Sequence, residues 1–285
     1  MSTATLSRSS STAPTSAPEH GPADESRIGL RANLRHIGAL TRRNVMQIKQ
    51  DPGSMFDVVL MPVIFTLLFV FVFGGSVGQA LGGDRDAYVN YVVPGLMAML
   101  GMNIAMAVGS GVNEDFRKGV MDRFRTMPIA RSSVLIAKIV VELGRMLIAI
   151  AILLGVGFLL GLEIKTSVLG LLASVGLSAV FGSSLMWIFI LLGLTMKTTQ
   201  TVQGMAMLVL MPLQFGSSIF APPSSMPGWL QAFTDYNPLS NLADAARGLI
   251  SGGPVAHSAA MTLAWAAAIT LITAPLAVAK FRRRT

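Results

Sequence analysis

The 285-residue chain contains no cysteine, which removes disulfides, thiolate metal sites and cysteine nucleophiles together. Its three histidines, His20, His36 and His257, stand too far apart in sequence to suggest a metal site. Charged residues make up 13% of the chain, about half the share of an ordinary soluble domain. No G-x-x-x-x-G-K-[ST] run occurs, and Lys165-Thr166 and Lys197-Thr198 lack the glycine before the lysine. Nucleotide phosphates are therefore not cradled here in the usual way. No hydrolase or protease motif stands out, so no catalytic, cofactor-binding or metal residue is assigned. Residues 1–26 lack an apolar core as well. They are rich in Ser, Thr, Ala and Pro, which reads as a disordered tail and not as a signal peptide.

What the chain has is apolar length. Hydrophobic residues are 52% of it, gathered in runs of about 20, and that defines an all-α polytopic membrane protein. The runs predict six spans: Phe56 to Phe73, Val92 to Val112, Val134 to Leu162, Val168 to Met196, Gly204 to Phe220 and Ser258 to Val278. The Gly-rich stretch from Gly74 to Asn90 reads as a loop, and Pro212 as a kink point in the fifth span. Before the first span, residues 27–55 form a basic amphipathic helix. Leu30, Leu34, Ile37, Val45 and Ile48 share one face, with Arg31, Arg35, Arg42 and Lys49 opposite. The adjoining membrane span favours an interfacial helix over a calmodulin-type target.

The net charge of +8 forms no domain-wide patch, so nucleic acid is not an expected partner. The cations lie between the apolar runs, as in loops that face anionic lipid. With six spans and both termini cytosolic, seventeen Lys and Arg fall inside, against Arg85, Lys165 and Arg247 outside. The membrane domain then covers residues 56–279, with a basic tail at 280–285. A segment at 221–256 is too polar to span. Its Pro227-Gly228-Trp229 start reads as a short interfacial helix on the outer face, and Asn237-Pro238 opens a second one.

Residues 113–131, NEDFRKGVMDRFRTMPIAR, are the charged centre of the chain. Phe116, Val120, Phe124 and Met127 recur at helical spacing with Gly119 between them, and Pro128 closes the run. This predicts a short amphipathic helix at the cytosolic membrane edge, its apolar face inward and its charged face toward a partner. An ordinary positive-inside loop carries the same charge. On the third span, Lys138, Glu142 and Arg145 share one face at spacings of four and three. They form either an intramembrane charge cluster or an internally paired turn at the cytosolic interface. The second is the simpler reading, since Met146 to Leu162 alone reaches about 25 Å. Gly101, Ala105 and Gly109 make a small-residue stripe that needs a close neighbour, within the subunit or across a dimer. Methionines at 97, 99, 102, 106, 205, 207 and 211 suit either packing or a surface that accepts varied apolar molecules.

Two longer blocks carry a family likeness. KGVMDRFRTMPIARSS, from Lys118, and GSSIFAPPSSMPGWLQAFTDYNPLSNLADAARGLISG, from Gly216, resemble the signatures of the daunorubicin-resistance permeases in the type-2 family of ABC transporters. Arg117 departs from that pattern, where an acidic residue usually precedes Lys-Gly. The resemblance implies a plasma-membrane permease subunit that exports hydrophobic drugs or secondary metabolites from a bacterial cell, conferring antibiotic resistance. It implies two cytosolic ATPase subunits, which hold the ATP and Mg, and a second permease copy or close paralogue. In that reading Asp115, Arg117, Lys118, Gly119, Asp122, Arg123, Phe124, Arg125 and Pro128 couple to the ATPase. Pro227, Gly228, Trp229, Asn237 and Pro238 belong to an outer gate, and lipid surrounds the bundle. An exporter of lipid or glycan shares the helix count. A proton-coupled transporter needs a free buried carboxylate and has only Glu142. A scaffold leaves the paired motifs unexplained.

Overall fold

The computed structural model describes residues 52–119 and 131–284. The tail at 1–26, nearly all of the expected interfacial helix at 27–55, and residues 120–130 of the central segment lie outside these residues. Eight α-helices and no strand are found among the described residues. They are α1 (Pro52–Ala80), α2 (Arg85–Arg117), α3 (Arg131–Leu159), α4 (Val168–Thr195), α5 (Thr199–Phe215), α6 (Gly228–Tyr236), α7 (Pro238–Ser251) and α8 (Ala256–Arg284). Helices α1, α2, α3, α4 and α8 are long and apolar enough to cross a membrane. Helix α5 has 17 residues, or about 25 Å, just under a hydrocarbon layer of about 30 Å.

Helix α2 is the centre of the bundle. It packs on α1, α3, α4, α5 and α7, and its buried residues run from Tyr88 to Asn113. The small-residue stripe serves its crossing with α4. A Cβ on Gly101 would lie 3.5 Å from the Gly182 Cα, and one on Gly109 only 2.4 Å from the Phe189 carbonyl oxygen. A Cβ on Gly193 would lie 2.3 Å from the Gly109 carbonyl oxygen. The stripe's neighbour is therefore inside the subunit. Dispersion between closely approaching backbones, which the absence of side chains permits, is what holds such a pair in lipid.

Helix ends differ from the sequence expectation in four places. The expected loop from Gly74 to Asn90 shrinks to a turn at 81–84, because α1 continues to Ala80 and α2 begins at Arg85. Gly78 is there for close approach and not for a loop: a Cβ on it would sit 2.3 Å from the Asp84 carbonyl oxygen. Asp84 then caps α2, accepting from the Asp86 and Ala87 amides at 3.0 and 3.4 Å. Helix α3 stops at Leu159 and not at 162, where Gly161 turns the chain at φ +105° and the Leu162 amide donates back to the Gly157 carbonyl at 2.8 Å. Helix α5 starts five residues earlier than the apolar run suggests, because the Thr198 hydroxyl accepts from the Thr201 amide, and it ends at Phe215. Helix α8 runs through the expected tail to Arg284, and Phe281 is buried there.

Candidate transport pathway and coupling face

The end of the bundle that carries Lys118, Lys197, Lys280 and Arg283 is its basic end. There α2 finishes at Arg117, and Gly119 takes the left-handed φ of +68° that favours glycine. The Lys118 amide donates to the Glu114 carbonyl at 2.9 Å, and the Gly119 amide to the Phe116 carbonyl at 3.2 Å. This corrects the expected continuous helix through Gly119: Phe116 belongs to α2, and the chain turns before Val120. Arg117 is exposed on the last turn. Lys118 pairs with Glu114 at 2.7 Å in full solvent, a bond that raises the lysine pKa and adds little to stability. Asp122, Arg123, Phe124, Arg125 and Pro128 lie outside the described residues.

Asp115 has a different task from its neighbours. It holds the Lys138 ammonium of α3 at 2.5 Å, and Gly111 leaves room for that side chain, since a Cβ there would lie 3.2 Å from Nζ. The face shared by Lys138, Glu142 and Arg145 thus divides into two pairs. Lys138 ties α3 to the end of α2, while Arg145 and Glu142 pair with each other at 3.0 Å and are both largely buried. Residues 146–159 follow Arg145 in α3, about 21 Å of helix. Asn113 adds a third tie. Its side-chain amide donates to the Gly193 and Met196 carbonyls, both at 2.9 Å, and its oxygen accepts from the Thr199 hydroxyl at 3.3 Å. The end of α2 is therefore fastened to α3 and to the α4–α5 turn at once.

Midway along the bundle a cavity of about 510 Å³ opens between α1, α2 and α5. Met99, Met102 and Met106 of α2 face Met61 of α1 and Met207 and Met211 of α5 across it. Met97 is buried elsewhere, and Met205 is exposed outside the cavity. Phe65 and Phe215 add rings, and Asn103 and Gln214 are the polar side chains among its lining residues. Met61, Met207, Met211 and Phe215 are exposed, so the cavity opens sideways. Phe215 also borders a second cavity of about 360 Å³ nearer the opposite end, lined by Phe69, Phe73, Tyr88 and Phe220. The Phe69 and Phe220 rings stack at 4.5 Å.

The end opposite the basic end is closed by α6 and α7. Trp229 on α6 is 74% exposed, with Pro227 and Gly228 at the start of that helix. Helix α7 is different: it is wedged among α2, α4 and α8 and largely buried. Asn237 caps two helices at once. Its amide donates to the Leu213 and Gly216 carbonyls at the end of α5, at 2.7 and 3.0 Å. Its oxygen accepts from the Leu239 amide at 2.9 Å, and Pro238 takes the first helical position of α7. Asn237→Ala leaves those groups without partners in a buried site. It is expected to cost about 2–4 kcal/mol, read as a lower melting temperature in detergent, with Asn237→Ser intermediate.

By charge alone Arg247 counts among the outer cations, and the structure sets it on α7 with its side chain only 13% exposed. Its Nε donates to the Tyr91 carbonyl at 2.8 Å, and Nη2 to the Ser218 and Ile219 carbonyls at 2.7 and 3.1 Å. Nη1 reaches Asp244 at 2.6 Å and the Ser218 hydroxyl at 3.1 Å, and the guanidinium lies 3.7 Å above the Tyr91 ring. One side chain thereby joins α7, α2 and the turn after α5. Gly95 gives it space: a Cβ there would lie 3.0 Å from Nη2.

A helical bundle with a side-opening apolar cavity at mid-depth and a fastened, charged end is the architecture of a membrane transport subunit. The chain belongs to the ABC-2 type transporter family, whose pattern it matches over residues 35–250. It is 35% identical over 253 residues to the daunorubicin resistance ABC transporter permease protein DrrB1 of Streptomyces coeruleorubidus, covering 89% of this chain and 87% of that one. It is 25% identical over 246 residues to a "Probable doxorubicin resistance ABC transporter permease protein DrrC" of Mycobacterium tuberculosis, covering 86% and 88%.

Proposed function

We propose that the chain is the permease subunit of an exporter that moves planar hydrophobic drugs out of a bacterial cell, driven by ATP hydrolysis on separate subunits. The observation that carries this reading is the methionine-lined cavity. Six flexible, polarizable thioethers and two phenyl rings fit flat apolar molecules of varied outline, and two amides orient them. The relatives named for daunorubicin and doxorubicin resistance support the substrate class. The sideways opening also admits a lipid tail, which keeps lipid export as the second reading. A glycan finds too few hydrogen-bonding groups on this wall.

In this proposal the chain crosses the membrane six times with both termini cytosolic, α5 and the buried residues 216–219 making the fifth crossing. Two copies, or one and a paralogue, close the cavity's open side, and two cytosolic ATPase subunits carry ATP and Mg. Asp115 to Pro128 docks on the ATPase, with Arg117, Lys118, Gly119, Asp122, Arg123, Phe124, Arg125 and Pro128 at the contact. Asp115 passes the displacement to α3 through Lys138, and Asn113 passes it to α5, which lines the cavity. The segment around Pro227, Gly228, Trp229, Asn237 and Pro238 forms the outer gate. Glu142 is engaged by Arg145, which does not suit a proton-carrying carboxylate.

Cells expressing the chain with its ATPase should accumulate less of a fluorescent anthracycline than cells expressing either alone. Efflux that persists without ATPase and stops when the proton gradient is collapsed would reject the proposal. Lys138→Glu sets two carboxylates against each other at the α2–α3 tie, and a like-charge contact costs several kcal/mol in a partly desolvated site. Efflux should fall at least fivefold, and Asp115→Lys combined with Lys138→Asp should restore most of it. No recovery in the double variant would show that the tie does not carry the motion.

A further inference from the structure

At the basic end a groove of about 320 Å³ lies between the last turns of α4 and α8. Leu191, Leu276 and Ala279 make it apolar, while Lys280 and Arg283 line it with charge. On α8, Ile272, Leu276, Lys280 and Arg283 follow at steps of four, four and three, which sets them along one face. Ile272 and Leu276 are exposed, so that face runs from bare aliphatic carbon to cations over about three turns. Lys118, Lys138, Arg145 and Arg247 each meet a carboxylate, whereas among the described residues none pairs with Lys280 or Arg283. Lys280 is also partly buried, and a cation drawn from water against leucine without a counter-ion is unfavourable.

We infer that this groove binds one anionic phospholipid, its phosphate between Lys280 and Arg283 and an acyl chain along Leu276 and Ile272. Each half of the site excludes a simpler ligand. Free phosphate gains nothing from the leucines, and a zwitterionic lipid offsets its own phosphate with an ammonium. Basic pockets between membrane helices hold anionic headgroups by this combination of charge and hydrocarbon. The neighbouring residue Phe281 packs edge-on against Phe116 of α2 at 5.5 Å, so a lipid bridging α4 and α8 braces the end of α2 as well. The inference rests on α8 crossing the membrane and is independent of what the protein transports.

Native mass spectrometry of the full chain, purified in its complex, tests the inference with phosphatidylglycerol, phosphatidylcholine and glycerol 3-phosphate as separate probes. Phosphatidylglycerol should bind as one tight copy per chain, at least tenfold more strongly than phosphatidylcholine, with glycerol 3-phosphate not retained. Lys280→Gln with Arg283→Gln should weaken phosphatidylglycerol about tenfold or more. Leu276→Trp, which fills the groove and leaves the charge alone, should do the same, and Lys197→Gln, a basic residue outside the groove, should not. Equal binding of the two lipids, retention of glycerol 3-phosphate, or a silent Leu276→Trp would each overturn the inference. The wild-type lipid comparison and Leu276→Trp decide the matter even where the double variant does not fold.

Discussion

Arg247→Leu is expected to lower the stability of the protein by at least about 3 kcal/mol. One change strips hydrogen bonds from the carbonyls of Tyr91, Ser218 and Ile219 and leaves Asp244 without its cation. Hydrogen bonds from a charged donor contribute about 1.5–3 kcal/mol each, but Asp244 is nearly half exposed, so its share is small. The melting temperature in detergent should fall by roughly 5–10 °C. Arg247→Lys should recover little, because one ammonium cannot serve the same fork of acceptors or lie flat on the Tyr91 ring. Gly95→Ala should reproduce the defect more mildly, since its Cβ would meet the Ile219 carbonyl oxygen at 2.8 Å and the guanidinium at 3.0 Å. A stable Arg247→Leu variant would show that the turn after α5 is held by packing and not by this side chain.

Gly193→Ala is the other large effect. The added methyl would sit 2.3 Å from the Gly109 carbonyl oxygen, and both partners are helix backbone, so no side chain can yield. The α2 and α4 axes must part by about 1 Å, at a cost of about 3 kcal/mol or more. The Gly193 carbonyl also accepts from Asn113, so the tie at the end of α2 loosens with the crossing. Contrasts within the same bundle check the mechanism. Gly101→Ala meets Gly182 at an ordinary 3.5 Å and should be mild, while Gly182→Ala meets the Met146 thioether, a side chain with rotatable bonds, at 2.6 Å. Gly144→Ala meets nothing within 4 Å and should stabilise by about 0.5–1 kcal/mol. Membrane yield and thermal melts should rank the four variants Gly144→Ala, Gly101→Ala, Gly182→Ala and Gly193→Ala, from highest to lowest.

The bundle was legible where apolar length decides the outcome. Five of the six runs appear as helices long enough to cross, because in lipid the backbone has no alternative to the helix. The Gly101, Ala105 and Gly109 stripe announced a close contact, though not whether the neighbour lay in the same subunit. Gly74 and Gly78 misled: glycine marks a loop and a close approach with the same letter, and here the returning chain made the difference. Lys138, Glu142 and Arg145 were visible through their spacing, but Asp115, 23 residues away, could not be paired with Lys138 from one chain's pattern. Arg247 was missed for the same reason. Its acceptors lie 28, 29 and 156 residues away, so a count of charges sees only an outer cation on a short helix. The methionine wall was suggested by abundance alone, and only the fold gathers α1, α2 and α5 around it.

Phe281 carries a practical consequence. The last six residues look expendable, the natural place for a shortened chain or an affinity handle. Yet Phe281 is 2% exposed and its ring meets Phe116 edge-on, so the C-terminus is the foot on which α2 stands. A chain stopped at residue 279 loses that foot, and a rigid tag begun before Thr285 pries at it. A fusion partner on this protein belongs behind a flexible spacer after the final residue.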